Sequence, residues 1–211
     1  MTPAILETLS RDADDNVRYG VAGNHQCPTE LLEHLASDES TWVRFCVAAN
    51  SGAPLEVVRK LARDPEAEVR GRTVSRLIKQ EQHDLLELLV RDPDSEVRYC
   101  MSQILYNGPT TLQTQLATDP DARIRERIAN YDVLDTATLE QLLKDPDPEV
   151  RISLACNKVT PTPAAVIEAL ANDSDPQVRW QAVYNGAIST ATLKRLAVHD
   201  PVPSVRERAQ Q

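Results

Sequence analysis

The stretch that decides the fold reads LASDESTWVRFCVAAN over residues 35–50, and LANDSDPQVRWQAVYN over residues 170–185 repeats its plan. Each places an Asp three residues after a Leu, an Arg six residues after that Asp, and an Asn six residues after the Arg. Working outward, Val-Arg recurs every 26 to 28 residues, with Ile-Arg in one copy, which gives eight units. Because the Asp-to-Arg interval is the same in all eight, the pattern indicates an internal repeat.

Each unit is predicted to form two short helices. Pro28 and Thr29 precede a Leu-rich segment, and Pro suits a first helical position because its missing N–H would be unpaired there. Asp147 and Asp175 are predicted N-caps of second helices, each followed by a Pro at the first helical position. The Asn after the Arg, as at Asn50, is a type that tolerates the left-handed conformation that ends many helices. Helices this short need their neighbours, as in a solenoid.

These patterns predict an all-α fold with one domain, residues 1–211, built as a solenoid of eight two-helix repeats. The third unit departs from the pattern because Arg76 stands in the Asn position and the following Pro is missing, so its second helix is predicted to continue to Lys79. The predicted repeats are 1–24, 25–50, 51–78, 79–107, 108–131, 132–157, 158–185 and 186–211.

The spaced Leu-Ala, Asp, Val-Arg and Asn resemble the leucine-rich repeat variant family, and the turn DPDPEVR at residues 145–151 is similar to HEAT- and armadillo-like repeats. The resemblance covers essentially the whole chain. It implies a right-handed superhelix whose second helices can be partly 3-10, and it implies no activity. Some relatives carry a cysteine-rich iron–sulfur segment ahead of the array; this chain has no counterpart of it, so we expect no cofactor.

The Asp–Arg pairs are the most regular charged feature of the sequence. Each Arg can reach carboxylates of its own or the adjoining unit, and a planar guanidinium suits bidentate, partly buried pairing. We interpret the pairs as a structural ladder that fixes the register between repeats, in preference to eight charged binding sites. The predicted ladder comprises Asp12, Arg18, Asp38, Arg44, Asp64, Arg70, Asp92, Arg98, Asp119, Arg125, Asp145, Arg151, Asp173, Arg179, Asp200 and Arg206.

Four of the eight aromatic residues directly follow a repeated Arg. With the Val of Val-Arg at 0°, that position lies at about 200° around the helix, away from the core. A row of exposed rings would offer interface anchors to a partner. The alternative is that the rings lean over neighbouring units and cover small residues. The predicted partner-binding residues are Tyr19, Phe45, Tyr99, Trp180 and, one turn further on, Tyr184.

The third unit holds the densest positive cluster of the chain, formed by Arg70, Arg72, Arg76 and Lys79. One interpretation is a solvated helix face near acidic residues. The other is a site for a phosphate or an acidic partner, which would be the starting point of a resemblance to HEAT-like DNA glycosylases.

Composition and motifs exclude several function classes. The net charge of −9 argues against electrostatic binding of nucleic acid or anionic lipid by the whole molecule. The sequence lacks the phosphate-loop, G-x-S-x-G and H-E-x-x-H motifs, and no C-x-x-C pair indicates a metal. With no signal peptide and no long apolar run, we expect a cytoplasmic protein without a membrane segment.

The sequence therefore predicts a non-enzymatic, monomeric scaffold that binds another protein or peptide on the face formed by the second helices. Two alternatives stay open. One is a nucleic-acid-binding or DNA-glycosylase-like array that uses the basic cluster near residues 70–79, which a basic concave field would favour. The other is a HEAT-like lyase or chaperone acting on a cofactor-bearing protein, which a deep apolar pocket beside the aromatic row would favour.

Overall fold

The computed structural model describes residues 2–131, 133–157 and 163–211, with the backbone alone at residue 107. Within these ranges the chain forms sixteen α-helices and one 3-10 segment, and no strand. The helices follow one another as eight pairs, so the predicted all-α fold of two-helix repeats is confirmed. The predicted first residues of the first and seventh repeats, 1 and 158, lie outside the described residues.

The helices divide between two compact units, Met1–Ile104 and Leu105–Gln211. The first unit contains α1 (Pro3–Leu9), α2 (Asp15–Ala22), α3 (Thr29–Leu35), α4 (Thr41–Ala49), α5 (Leu55–Leu61), α6 (Ala67–Lys79), α7 (His83–Leu89) and α8 (Ser95–Ile104). The second unit begins with the 3-10 segment Leu105–Asn107 and contains α9 (Thr110–Leu116), α10 (Ala122–Ala129), α11 (Thr136–Leu143), α12 (Pro148–Cys156), α13 (Ala164–Leu170), α14 (Pro176–Tyr184), α15 (Thr190–His199) and α16 (Pro203–Arg208).

The second helices of the repeats stack on one another within each unit. In the first unit α2 packs on α4, α4 on α6 and α6 on α8; in the second unit α10, α12, α14 and α16 pack in the same succession. The Val of Val-Arg lies between successive helices, and Val43 and Val69 are fully buried. The Leu that precedes the repeated Asp is equally buried, as at Leu35. Each repeat therefore completes its apolar core with its neighbour, as expected of helices too short to be stable alone.

The structure bears on two predicted N-caps of second helices and on the position of Pro28 in a first helix. Asp147 accepts a hydrogen bond from Glu149 N and Asp175 accepts one from Gln177 N, so both predicted N-caps are confirmed. Pro28, however, lies at the N-cap of α3 and not at its first helical position. A proline at the N-cap costs the helix no hydrogen bond, because its carbonyl still accepts the first helical N–H groups.

The sequence left open whether the second helices are α or 3-10. They are α-helical, with i→i−4 bonds such as Arg44 N to Ser40 O, and the one 3-10 segment of the described ranges, Leu105–Asn107, directly follows α8. One expectation about helix geometry is wrong. The asparagines do not end helices in the left-handed region: Asn50 has φ −71° and ψ 120°. Among the described residues other than glycine, Glu81 alone has a positive φ.

The asparagines instead join successive repeats. Asn50 Nδ2 donates to Ala22 O at 2.7 Å and to Asn24 O at 3.0 Å, both in the preceding repeat. Asn157 and Asn185 make the corresponding pairs of bonds in the second unit. An extended backbone at this position aims the amide backwards, which explains why the left-handed conformation is not used.

The long second helix predicted for the third repeat is confirmed, since α6 runs for 13 residues to Lys79. Arg76, which lies within this helix, bonds to the preceding repeat as an asparagine does elsewhere. Its guanidinium donates to Asn50 O and to Ala53 O, each at 2.9 Å. In the described part of the chain, every helix is too short or too polar to span a bilayer.

Candidate binding surface on the second helices

Repeated arginines join the turn of their own repeat to the turn of the next one. Arg44 Nη1 donates to the carbonyls of Asp38 and Glu39 in its own repeat. Its Nε and Nη2 donate to the two carboxylate oxygens of Asp64 in the following repeat, at 2.8 and 3.0 Å. The same bidentate pairs are Arg18–Asp38, Arg70–Asp92, Arg125–Asp145, Arg151–Asp173 and Arg179–Asp200.

The carboxylates of these pairs are almost completely buried, and each accepts several hydrogen bonds. The aspartate side chains are at most 10% exposed. Each also accepts the backbone N–H two residues further on, as Asp64 does from Glu66 N. At Asp200 the hydrogen bonds from Arg179 hold the pKa of the carboxyl below its usual value, against the opposing effect of burial.

The remaining ladder residues also bind backbone atoms of their own turns. Arg98 and Arg206 donate to the carbonyls of Asp92 and Asp200. Asp12 and Asp119 accept the N–H groups of the residues two positions on. Since these charges are engaged inside the protein, the ladder is a poor candidate for ligand binding.

The predicted aromatic residues lie on second helices and retain part of their surface in solvent. Tyr19 is 45% exposed and Tyr184 is 49% exposed. Phe45, Tyr99 and Trp180 are half-buried. Each of these five rings is therefore partly covered by the protein and partly accessible to solvent.

A second register of contacts explains this half-burial. The residue directly after the Arg in one repeat contacts the residue two positions after the Arg in the next. Arg72 lies over the ring of Phe45, 5.3 Å from its centroid, and Arg208 lies 5.2 Å from the centroid of Trp180. The same pair of positions joins Ser153 Oγ to Glu126 Oε1, and at Tyr19 the neighbouring Cys46 thiol raises the pKa of the phenol.

Sequence reasoning missed Trp42, the most exposed ring of the first unit at 62%. It meets Phe45 edge to face, with 6.0 Å between centroids and 72° between planes. The signal that could have found it is helical phase, since the residue before Val lies at about 260°, next to the outward position at 200°. Tyr19, Trp42 and Phe45 lie on the stacked helices α2 and α4, and we call these three residues the aromatic cluster.

The third repeat has a glycine where its neighbours have rings. Gly71 follows Arg70, and beside it lies a cleft of about 460 Å³. Its lining includes Phe45, Ala67, Cys100 and Ile104, with Arg72, Glu68 and Asp94 among the polar lining residues. We call this hollow the Gly71 cleft. A methyl group on Gly71 would lie 3.4 Å from Cys100 Sγ, and burial raises the pKa of that thiol.

The predicted basic cluster is not assembled into one anion site. Arg70 binds Asp92, and Arg76 binds the backbone carbonyls of the preceding repeat. Arg72 lies over Phe45, and Lys79 is exposed at the end of α6. Of the four cations, only Arg72 and Lys79 have side chains that are exposed to solvent. Within the described ranges, no group of three or more His, Cys, Asp or Glu side chains is placed to hold a metal ion.

Two solved structures align with this chain at a TM-score above 0.5. One described as a leucine-rich repeat variant with a novel repetitive protein structural motif aligns with a TM-score of 0.71 at 29% identity, over 89% of this chain and 72% of that chain. An X-ray structure of the YibA protein of E. coli aligns with a TM-score of 0.55 at 17% identity, over 100% of this chain and 92% of that one, which shows the fold alone. A designed armadillo repeat protein aligns with a TM-score of 0.33 at 16% identity, over 100% and 97%.

These findings confirm the resemblance to leucine-rich repeat variants that the sequence motif predicts. No family model matches the chain. No curated protein matches it by sequence.

Proposed function

We propose that this protein is a non-enzymatic scaffold that binds another protein or a peptide on its second helices. The observation that carries the proposal is the aromatic cluster, Tyr19, Trp42 and Phe45, with the Gly71 cleft beside it. Two of its rings, those of Tyr19 and Trp42, are 45% and 62% exposed. Tyr and Trp are the residue types that dominate binding energy at protein interfaces, and here rigid helices hold them.

The surroundings of the cluster support binding more than chemistry. Six arginines of the ladder are paired with carboxylates of the next repeat, and these charges are not available as acid–base groups at the surface. A helical repeat fold offers a row of similar helices side by side, which suits an extended partner.

The nucleic-acid alternative has less support. It depends on the basic cluster, and two of its four cations, Arg70 and Arg76, are bound within the protein. The net charge of −9 opposes association with a polyanion.

The chaperone or lyase alternative is favoured by one observation, the apolar lining of the Gly71 cleft next to Phe45. It predicts that the bound partner carries a cofactor and that binding depends on that cofactor. A scaffold for proteins or peptides would bind its partner without one.

The test is selection of a random peptide library, displayed on phage, against the immobilised full chain. We expect enriched peptides whose binding is lost in Trp42→Ala and retained in Leu88→Ala. Leu88 is a matched control because it is a 46% exposed apolar residue of the same unit that lies on a first helix, α7. Circular dichroism establishes that both variants are folded. Equal loss in both variants, or no enrichment at all, would overturn the proposal.

A further inference from the structure

The Gly71 cleft has the composition of a pocket for one large apolar side chain. Its lining combines Phe45, Ala67 and Ile104 with the backbone of Gly71. Its volume, about 460 Å³, falls within the range of roughly 300–1,000 Å³ seen for ligand pockets. The pocket exists because the third repeat has no side chain at the position where Phe45 and Tyr99 stand in the repeats on either side.

A second hollow, of about 420 Å³, continues from the first around the beginning of α6. The two hollows share Ala67, Glu68 and Asp94 in their linings. The second one adds Glu66 and the two prolines of the adjoining turns, Pro65 and Pro93. The apolar hollow thus adjoins a second, acidic hollow, which we call the acidic channel.

The charge of this channel is negative, although Arg70 lies in its wall. Arg70 binds both carboxylate oxygens of Asp92 and also the carbonyls of Asp64 and Pro65. Its charge is therefore matched by Asp92, and the three carboxylates of Glu66, Glu68 and Asp94 set the sign of the potential. In the first hollow Arg72 lies over the ring of Phe45, 5.3 Å from its centroid, and it does not line the second hollow.

We infer that the two hollows together bind a peptide segment in which a large apolar side chain is followed, within a few residues, by lysine or arginine. This rests on the proposed function and makes its partner chemistry specific. The apolar side chain fills the gap at Gly71, and the cation lies among Glu68, Asp94 and Glu66. Apolar burial supplies the affinity, and the carboxylates supply the selectivity and the rate of association.

The test uses the library selection described above and then measures the enriched peptides individually. Each is labelled with fluorescein, and its affinity for the full chain is measured by anisotropy at 50 and 300 mM NaCl. We expect a shared motif with an apolar residue followed by Lys or Arg, and weaker binding at the higher salt concentration. Replacing the basic residue of a peptide by Glu should abolish the binding.

Variants of the protein locate the site. Glu68→Gln and Asp94→Asn should each weaken binding about two- to fivefold, as expected for exposed ion pairs. The matched control Glu87→Gln changes an exposed carboxylate on α7 and should leave the affinity unchanged. Gly71→Tyr should fill the pocket and reduce affinity at least tenfold. Because that side chain approaches Cys100, its result counts only if its circular dichroism spectrum is native, and the two carboxylate variants test the site independently.

The outcomes separate this inference from the proposed function. Enriched peptides that need Trp42 but carry no basic residue, or that bind equally to Glu68→Gln, would overturn the inference and leave the scaffold proposal standing. The absence of any enriched peptide would overturn both. A basic motif that binds Gly71→Tyr as well as the wild type would also contradict the assignment of the pocket.

Discussion

The guanidinium of Arg76 donates to the carbonyl of Asn50 at 2.9 Å, and this bond joins the third repeat to the second. In the second repeat, Asn50 itself donates to the carbonyl of Asn24, the residue at the same position of the first repeat. An asparagine in the second repeat and an arginine in the third therefore bind the equivalent backbone carbonyl of the preceding repeat. The third repeat can lose its asparagine and extend its helix without losing its bond to the preceding repeat.

This relationship predicts a stability cost for removing one amide. Asn50→Ala deletes the bonds to Ala22 O and Asn24 O and leaves the buried carbonyl of Ala22 without that donor. We expect a loss of about 1–3 kcal/mol in the free energy of unfolding, measured by urea denaturation. Asn130→Ala is the control, because this exposed asparagine also lies at the end of a second helix but bonds to Glu126 O of its own helix. A loss as large in the control would contradict the assignment.

The ladder predicts a larger cost. Arg44→Ala leaves the buried carboxylate of Asp64 without its guanidinium, and breaking such a pair costs about 3–5 kcal/mol. Urea denaturation should register this as a fall in the midpoint with an unchanged slope. Arg11→Ala removes an exposed pair with Glu7 at 3.9 Å and should cost below about 1 kcal/mol. Similar losses in the two variants would mean that the ladder does not hold the repeats together.

The same pairs predict a dependence of stability on pH. The pKa of Asp200 is lower in the folded protein than in the unfolded chain, mainly because Arg179 donates to the carboxylate. Its stabilising contribution is therefore complete above the ordinary pKa of about 3.9 and is lost as pH falls through the lowered folded value. The difference in Tm between the wild type and Asp200→Asn should be constant from pH 7 to 5 and shrink below about pH 4.

The exposed variant Glu87→Gln provides the baseline for this measurement and should differ little from the wild type at any pH. A Tm difference for Asp200→Asn that stays constant down to pH 3 would show that the charge of this carboxylate does not stabilise the fold.

Three features could be predicted from sequence because each depends on neighbouring residues: the hairpins, the N-caps at Asp147 and Asp175, and the long helix α6 of the third repeat. The direction of the ladder could not. Arg44 lies six residues from Asp38, yet its guanidinium binds the carboxylate of Asp64, 20 residues further along the chain. The reason is that stacking brings the turns of successive repeats side by side. The Gly71 cleft was missed for a similar reason: its width depends on how closely α8 approaches through Cys100, which no interval along the chain encodes.

That close approach makes a prediction about Gly71. A glycine inside a helix costs roughly 0.5–1 kcal/mol relative to alanine, and the new methyl group would meet Cys100 Sγ at 3.4 Å, an ordinary contact. We therefore expect Gly71→Ala to raise the free energy of unfolding by up to about 1 kcal/mol. Gly20→Ala, in α2, is the control because nothing lies within 4 Å of its added carbon. Destabilisation by Gly71→Ala alone would mean that α6 and α8 pack too tightly there for any side chain.

The last prediction concerns Arg208, whose guanidinium lies 5.2 Å from the ring centroid of Trp180 and 4.4 Å from that of Tyr184. The chain has two tryptophans, so Trp42→Phe leaves Trp180 as the single indole fluorophore. In that background Arg208→Ala should expose the ring, shift its emission to longer wavelength and increase quenching by acrylamide. Lys194→Ala, an exposed cation on α15, should change neither. Unchanged emission in Arg208→Ala would show that the stack does not cover Trp180 in solution.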